Sequence, residues 1–308
     1  HTTSATGVSR RPAVQAARGW RPQQSMEEQQ SETQQPDKMP VLFLSHGGGP
    51  CFFMGDEAGS MFSEMGPSSP AANFLRNVAT HVPRKPSAIL LISAHWEEAD
   101  FTVGTQAAGS SLLYDYYGFP PAMYELKYPA PWSSELADRV TELLRQGGVE
   151  APQKDRAWDH GVFVPLKLAY PEADVPIVQL SLKADLNEEE HVRLGQLLAP
   201  LRSEGVLIVG SGSFTHGLRE VRRPGAPLEG WVTEFQSWMA SALESMDAER
   251  VTNVMGLAPH AARAHPRTEH LLPLHVAFGA ATGAAGAKRI FSGVVNGTLA
   301  VDSFLFHG

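Results

Sequence analysis

Cysteine is almost absent: Cys51 stands alone among 308 residues. No disulfide can close within the chain and no cysteine-based zinc site can form in it, and a reducing compartment, the cytoplasm, is expected. Excess positive charge is missing too. With 25 Lys and Arg against 33 Asp and Glu, the net charge is -8 and the pI near 5.8. That balance gives no electrostatic footprint for nucleic acid or an anionic membrane. No run is long and apolar enough to span a bilayer, and no apolar stretch of a secretory signal precedes the first strand. Hydrophobic residues at 43% and charged residues at 19% fit an ordinary globular protein with a sizeable core. Histidine is what the chain does have, at twelve positions. Any metal here must be held by imidazoles and carboxylates.

Residues 1–38 stand apart. They lack apolar periodicity, and the glutamine-rich run QQSMEEQQSETQQ cannot bury enough surface to offset its ordering entropy. Arg10, Arg11, Arg18 and Arg21, with no acidic residue among the first 25, faintly resemble an organelle transit peptide. The simpler expectation is a disordered leader, or untranslated sequence, before Met39. From Met39 onward strands and helices alternate with no linker or repeat, so residues 39–308 are expected to form one domain.

Three apolar stretches end in histidine. Val41–Pro50 reads VLFLSHGGGP, an uninterrupted run suited to a strand buried on both faces, then His46 and a glycine turn. Ser87–His95 reads SAILLISAH, and Val206–His216 reads VLIVGSGSFTH. In an open α/β sheet ligands bind beyond the carboxyl ends of the strands, so the three histidines should meet at one sheet edge. Between them, Ser69-Pro70 opens a helix to about His81, and Leu136, Val140, Leu143 and Leu144 mark another that stops at Gly147 and Gly148. Residues 98–131 read as irregular or short-stranded, and Trp158-Asp159-His160-Gly161 as a loop before a strand at Val175–Leu182. Asn187 and Glu190 resemble a capping box for a helix with Leu194, Leu197, Leu198 and Leu201. Trp231, Phe235, Trp238 and Met239 mark a further helix, the stretch from His265 a loop entering a helix, and Asn296-Gly297 a hairpin.

Neutral imidazole suits zinc, iron, copper and nickel, and a catalytic ion has three protein ligands with positions left open. His46, His95 and His270 are the candidate ligands. His216 is either a fourth ligand or a general acid/base. Glu269, beside His270, is the rival ligand, and with two histidines would complete a two-His-one-carboxylate triad. His260 and His265 are lesser alternatives. His81 is read as a helix-ending residue, His191 as solvated, His275 as a packing or hydrogen-bonding residue and His307 as terminal.

In order, LFLSHGGGP, ISAHWE, GFPPAMYELKYPAP, WDHG, VQLSL, GSGSFTHGL and TEHLLPLHVAFGA resemble the class III extradiol ring-cleavage dioxygenases, and within them the 4,5-DOPA extradiol dioxygenase group. The resemblance runs from Met39 to the end. It implies an α/β fold, a single domain with a central mixed sheet flanked by helices and a metal site at the carboxyl ends of strands. It also implies His46, His95 and His270 as ligands, His216 as the acid/base, His160 facing the substrate, Fe(II) or alternatively Zn(II) as cofactor, and a small aromatic diol and O2 as substrates. Tyr116, Phe119 and Tyr124 either wall the substrate pocket or pack a surface loop. The segment after His46, from Cys51 to Ser68, is longer than the family pattern, which leaves a catechol expected and DOPA itself open. The rival readings are a zinc-dependent hydrolase on the same histidines, and a non-enzymatic metal-containing binding protein.

Overall fold

Strands that are apolar at consecutive positions need cover on both faces. The computed structural model of the chain, which describes residues 38–55, 61–106 and 111–307, provides it. The expected leader lies, apart from Lys38, outside the described residues. The strands are β1 (Val41–Ser45), β2 (Ala88–Glu98), β3 (Val103–Thr105), β4 (Gln153–Asp155), β5 (Ile177–Lys183), β6 (Val206–Gly212), β7 (Ala287–Phe291), β8 (Val294–Val295), β9 (Leu299–Ala300) and β10 (Ser303–Phe306). Among the described residues eight of them form one sheet in the order β4-β3-β5-β2-β6-β1-β10-β7. Its centre, β5-β2-β6-β1, is parallel, β10 adds antiparallel to β1 and β7 antiparallel to β10, so the sheet is mixed.

The helices are α1 (Pro70–Asn77), α2 (Ser134–Gln146), α3 (His160–Ala169), α4 (Glu188–Leu198), α5 (Gly230–Glu244), the short α6 (Ala248–Thr252), α7 (Val254–Leu257) and α8 (Ala261–Ala264), and α9 (Leu272–Ala280). They divide between the two faces as strand alternation dictates. Val41, Phe43, Leu90, Ile92 and Ile208 pack with Val140, Leu194, Phe235 and Val276 from α2, α4, α5 and α9. Leu42, Leu44, Ile89, Leu91 and Leu207 pack with Leu75 and Val162 from α1 and α3. Each such side chain, fully buried, contributes about 1.5–3 kcal/mol.

The local signals hold where polar chemistry marks them. Ser69 Oγ accepts from the Ala72 N–H at 3.1 Å at the start of α1, and a 3-10 turn carries that helix on to His81. The α2 helix ends at Gln146 with Gly148 in the left-handed region. Asn187 caps α4, but Glu190 turns to Lys183 instead of closing a capping box. Asn296 and Gly297, both at positive φ, join β8 to β9.

Three expectations are corrected. Residues 160–169 are α3, not loop: the segment is buried on every side, so it carries no amphipathic period. β2 does not end at His95 but runs to Glu98. His191 is fully buried, not solvated, because α4 turns it inward against Phe101.

Candidate metal centre

β2, β6 and β1 are neighbours and run parallel, so residues following them emerge at one edge of the sheet. His46 follows β1 directly, and its N–H donates to the Gly212 carbonyl at the end of β6. Gly47 and Gly49, both at positive φ, then turn the chain away. His95 sits in an irregular part of β2: pairing with β6 stops at Ser93, and the register with β5 shifts between Ile92 and Glu97. That irregularity re-aims a side chain within a continuing strand. His216 follows β6 and is tied through its N–H to the Ala264 carbonyl. His270 arrives in the loop before α9, its carbonyl accepting the Ser213 N–H at 3.0 Å. His160 is the first residue of α3.

These five side chains converge. The ring of His46 lies 4.9 Å from that of His95, 5.3 Å from His160 and 5.4 Å from His270. His95 is 3.9 Å from His160 and 4.8 Å from His270, and His216 stacks on His270 at 3.4 Å. Donor atoms of His46, His95 and His160 lie within 4.8 Å of one another, as do those of His216, Glu269 and His270. His260 is elsewhere, on the surface against Glu234, while His265 is buried against the Phe214 carbonyl and lies outside both groups. His275 is buried between two carbonyls, those of Leu271 and Val251.

Each ring has one nitrogen engaged behind it. The Ser211 hydroxyl donates to the Gly161 carbonyl at 2.5 Å, so its oxygen is left to accept the Nδ1–H of His46 at 3.0 Å. Asp115 Oδ1 accepts the Nδ1–H of His160 at 2.8 Å, and its Oδ2 lies 3.5 Å from Nδ1 of His95. Glu269 Oε1 lies 2.8 Å from Nδ1 of His270 and 3.4 Å from Nδ1 of His216. Carboxylates and hydroxyls in this position fix the tautomer of a ligating histidine. They leave Nε2 as the remaining donor of each ring.

The electrostatics agree with a donor set for a cation. Burial, and then the neighbouring imidazoles, hold His46 and His95 well below the usual histidine pKa. Burial takes His270 down to about 4 against the hydrogen bond it donates to Glu269. Burial alone would raise Glu269 and Asp115, but hydrogen bonds from His216 and His270, and from His160, hold both below the usual carboxylate value. The Nε2 atoms of His46 and His95 are 3.0 Å apart. At that distance either one ring donates to the other or both lone pairs face one cation. Two ligands at right angles on one ion, each about 2.1 Å from it, stand about 3.0 Å apart. The residues present therefore fit a divalent metal.

Asp115 and Ser211 were not singled out in the sequence. Asp115 lies in the irregular Tyr- and Pro-rich stretch, where no period marks it, and Ser211 looks like one more small residue of a glycine-rich strand end. Tyr116, Phe119 and Tyr124 do gather beside the site: Tyr116 is 5.9 Å from His160, 5.3 Å from Phe119 and 5.4 Å from Tyr124. Phe119 also packs over the Gly49 turn, and Phe62 stands 5.9 Å from it. Cys51 is buried and its thiol pushed up to about 12 by burial, so it is unreactive.

Nitrogen donors backed by carboxylates at the carboxyl ends of parallel strands define a non-haem metal enzyme of the mixed α/β class. Residues 40–301 match the family model described as the catalytic LigB subunit of aromatic ring-opening dioxygenase. The chain is 41% identical over 242 residues to a 4,5-DOPA dioxygenase extradiol of Beta vulgaris, covering 78% of this chain and 90% of that protein. It is 32% identical over 274 residues to the protein of that name from Escherichia coli K12, covering 86% and 94%. The crystal structure of an uncharacterized Escherichia coli K12 protein superposes with a TM-score of 0.69 at 29% identity, covering 87% of this chain and 99% of that one. The chain belongs to the LigB family of class III extradiol dioxygenases. It is an oxidoreductase that opens the ring of a catechol-like substrate with O2, which sets aside the hydrolase and binding-protein readings. Among the described residues no helix is long and apolar enough to cross a membrane.

Proposed function

We propose that His46, His95 and His270 hold Fe(II) in this enzyme, and that His216 and His160 move its protons. The observation that carries this reading is the orientation of the rings: each has Nδ1 engaged behind it and Nε2 left over. Buried, neutral His46, His95 and His270 are suited to coordination. Glu269, the rival ligand, has its Oε1 occupied by the two Nδ1 atoms and its Oε2 facing Arg267 at 3.3 Å, which favours a supporting role. Fe(II) bound there supplies a place for a catecholate and O2 side by side, and electron transfer between them.

The chain's own residues do the rest. His216, stacked on His270 and backed by Glu269, takes a hydroxyl proton of the incoming diol. His160, backed by Asp115, takes the diol's second hydroxyl proton on Nε2 and gives it back as the ring opens. The aromatic residues Tyr116 and Phe119 flank the ring and exclude water. Tyr116 spends its hydroxyl on the Met123 carbonyl, so it offers the substrate a surface rather than a proton. The substrate class is a catechol; the names of the relatives make DOPA the first to try.

We assign the catalytic unit to residues 39–308; pairing of β1 with β10 supports this by joining both ends of the range in one sheet. A single cysteine supports a reducing compartment, the cytoplasm.

The test is O2 uptake by anaerobically purified protein reconstituted with Fe(II), with DOPA and simple catechols, beside a zinc-loaded control and a His216→Ala variant. Iron-dependent uptake with a ring-opened product, lost in the variant, is expected. Equal activity with zinc, or full activity in His216→Ala, would overturn the assignment.

A further inference from the structure

Two carboxylates flank the histidines, and they are used alike. Glu269 faces Nδ1 of His270 and of His216; Asp115 faces Nδ1 of His95 and of His160. Each therefore serves one proposed ligand and one proposed proton carrier. Asp115 is the less expected of the two, because it comes from the loop that also supplies Tyr116 and Phe119. Its Oδ1 is the more heavily used oxygen, accepting both the backbone N–H of His160 at 3.0 Å and its Nδ1–H at 2.8 Å. Its Oδ2 is 3.5 Å from His95, a looser contact.

We infer that Asp115 is a positioning residue for ring cleavage: it holds His160 as the tautomer with hydrogen on Nδ1, so that Nε2 is free to carry a substrate proton. The inference rests on the roles proposed above for His160 and His95. A neutral imidazole bears one hydrogen, and whichever nitrogen is held by an acceptor keeps it. With an ionised carboxylate at Nδ1, the hydrogen stays there and the lone pair is at Nε2. The same carboxylate stabilises the imidazolium formed when Nε2 takes a proton. Because the backbone N–H of His160 binds the same oxygen, ring and α3 N-terminus are fixed together. Loop 111–124 thus sets both the aromatic wall and the hydrogen position on His160.

The contacts are unequal, and this makes the inference separable from a purely structural or metal-supporting role. In Asp115→Asn the side-chain oxygen can still accept the His160 backbone N–H, but the charge is gone. Turnover at saturating catechol should fall about 10- to 100-fold, with KM, metal content and chelator-measured metal affinity each within about threefold. Asp115→Glu should recover part of the turnover. Nitrogen-15 NMR of the zinc-loaded protein gives a readout without catalysis: His160 should carry hydrogen on Nδ1 in the parent protein and on both nitrogens in a mixture in Asp115→Ala. A loss confined to metal affinity, with normal turnover once loaded, would assign Asp115 to His95 and overturn the inference. So would wild-type turnover in Asp115→Asn, which would leave a structural role only. If the parent protein cleaves no catechol while the NMR tautomers are as stated, the enzymatic reading fails and the positioning geometry stands; hydrogen on Nε2 in the parent protein would sink the inference alone.

Discussion

Replacing Gly212 by alanine tests how His270 is held. Gly212 closes β6, and a Cβ built on it would stand 2.1 Å from the His270 carbonyl oxygen. The next inward glycine, Gly210, meets the Pro273 carbonyl at 2.2 Å. Only residues without side chains let the loop before α9 lie flat on the strand and receive the Ser213 N–H at 3.0 Å. To bring the new Cβ to even 3.0 Å, the lower limit of tolerable contact, His270 must retreat by about 0.9 Å, the gap between 2.1 and 3.0. A displacement of about 1 Å in a reacting geometry costs about 100-fold in rate. Overpacking of this kind costs about 1–3 kcal/mol, a fall in Tm of about 2–5 °C for a chain of this size.

The assay pairs calorimetry with chelator competition for the metal and steady-state turnover. Gly230→Ala is the control: it starts α5 and a Cβ there meets nothing within 4 Å. Its Tm should hold or rise slightly, as expected where alanine fits the native backbone. If Gly212→Ala keeps Tm, metal affinity and turnover, the contact between β6 and the His270 loop is not as described. If Tm alone falls, β6 supports the fold but does not position His270.

His191 predicts a pH dependence of stability. Burial takes it down to about 4 from 6.5, its Nε2 accepting the Lys183 N–H and its Nδ1–H donating to the Asn187 carbonyl. The unfolded chain binds this proton near pH 6.5 and the folded one only near 4, so stability is lost as pH falls through that window, by about 1.4 kcal/mol per unit and about 3 kcal/mol in all. Denaturant melts of His191→Gln should show a slope shallower by one proton; an unchanged slope would refute it. Ser211→Ala removes the acceptor for Nδ1 of His46 and should weaken metal binding about 10-fold, with Ser211→Thr restoring part of it. Gly279→Ala places a Cβ 1.9 Å from the Val192 carbonyl, where α9 crosses α4 backbone to backbone, and should lower Tm by at least as much as Gly212→Ala with no separate effect on the metal.

The part of the fold legible in the sequence is the part that alternation and end chemistry encode. Apolar runs into His46, His95 and His216 gave buried parallel strands and a shared edge, and Ser69 and Asn187 cap helices where side-chain oxygens should. What sequence alone missed has no period. α3 is apolar on all sides, and β2 passes through His95 because an irregular register turns the side chain without ending the strand. His191 looked exposed among Glu188, Glu189 and Glu190, yet a helix turns one residue of such a run inward every third or fourth position. Asp115 and Ser211 matter through distant partners, His160 lying 45 residues from the first and His46 165 from the second, a separation that no local pattern can signal.

The supporting groups also explain why the site suits a divalent ion. With His46, His95 and His270 held neutral, they contribute no charge, and Asp115 and Glu269 held ionised contribute two negative ones. Arg156 faces Asp159 at 3.4 Å, and Arg267 makes two hydrogen bonds to Glu97, so its 3.3 Å contact with Glu269 balances that carboxylate only in part. Two negative charges in a poorly solvated cluster are costly unless a doubly charged cation balances them. A diol entering as a monoanion would upset that balance by one charge if its proton left the protein. If the proton instead passes to His216 or His160, each beside a carboxylate that stabilises the imidazolium, the cluster stays neutral. The two carboxylates thus serve the metal and the proton together, and each reaches a proposed ligand and a proposed proton carrier from a single side chain.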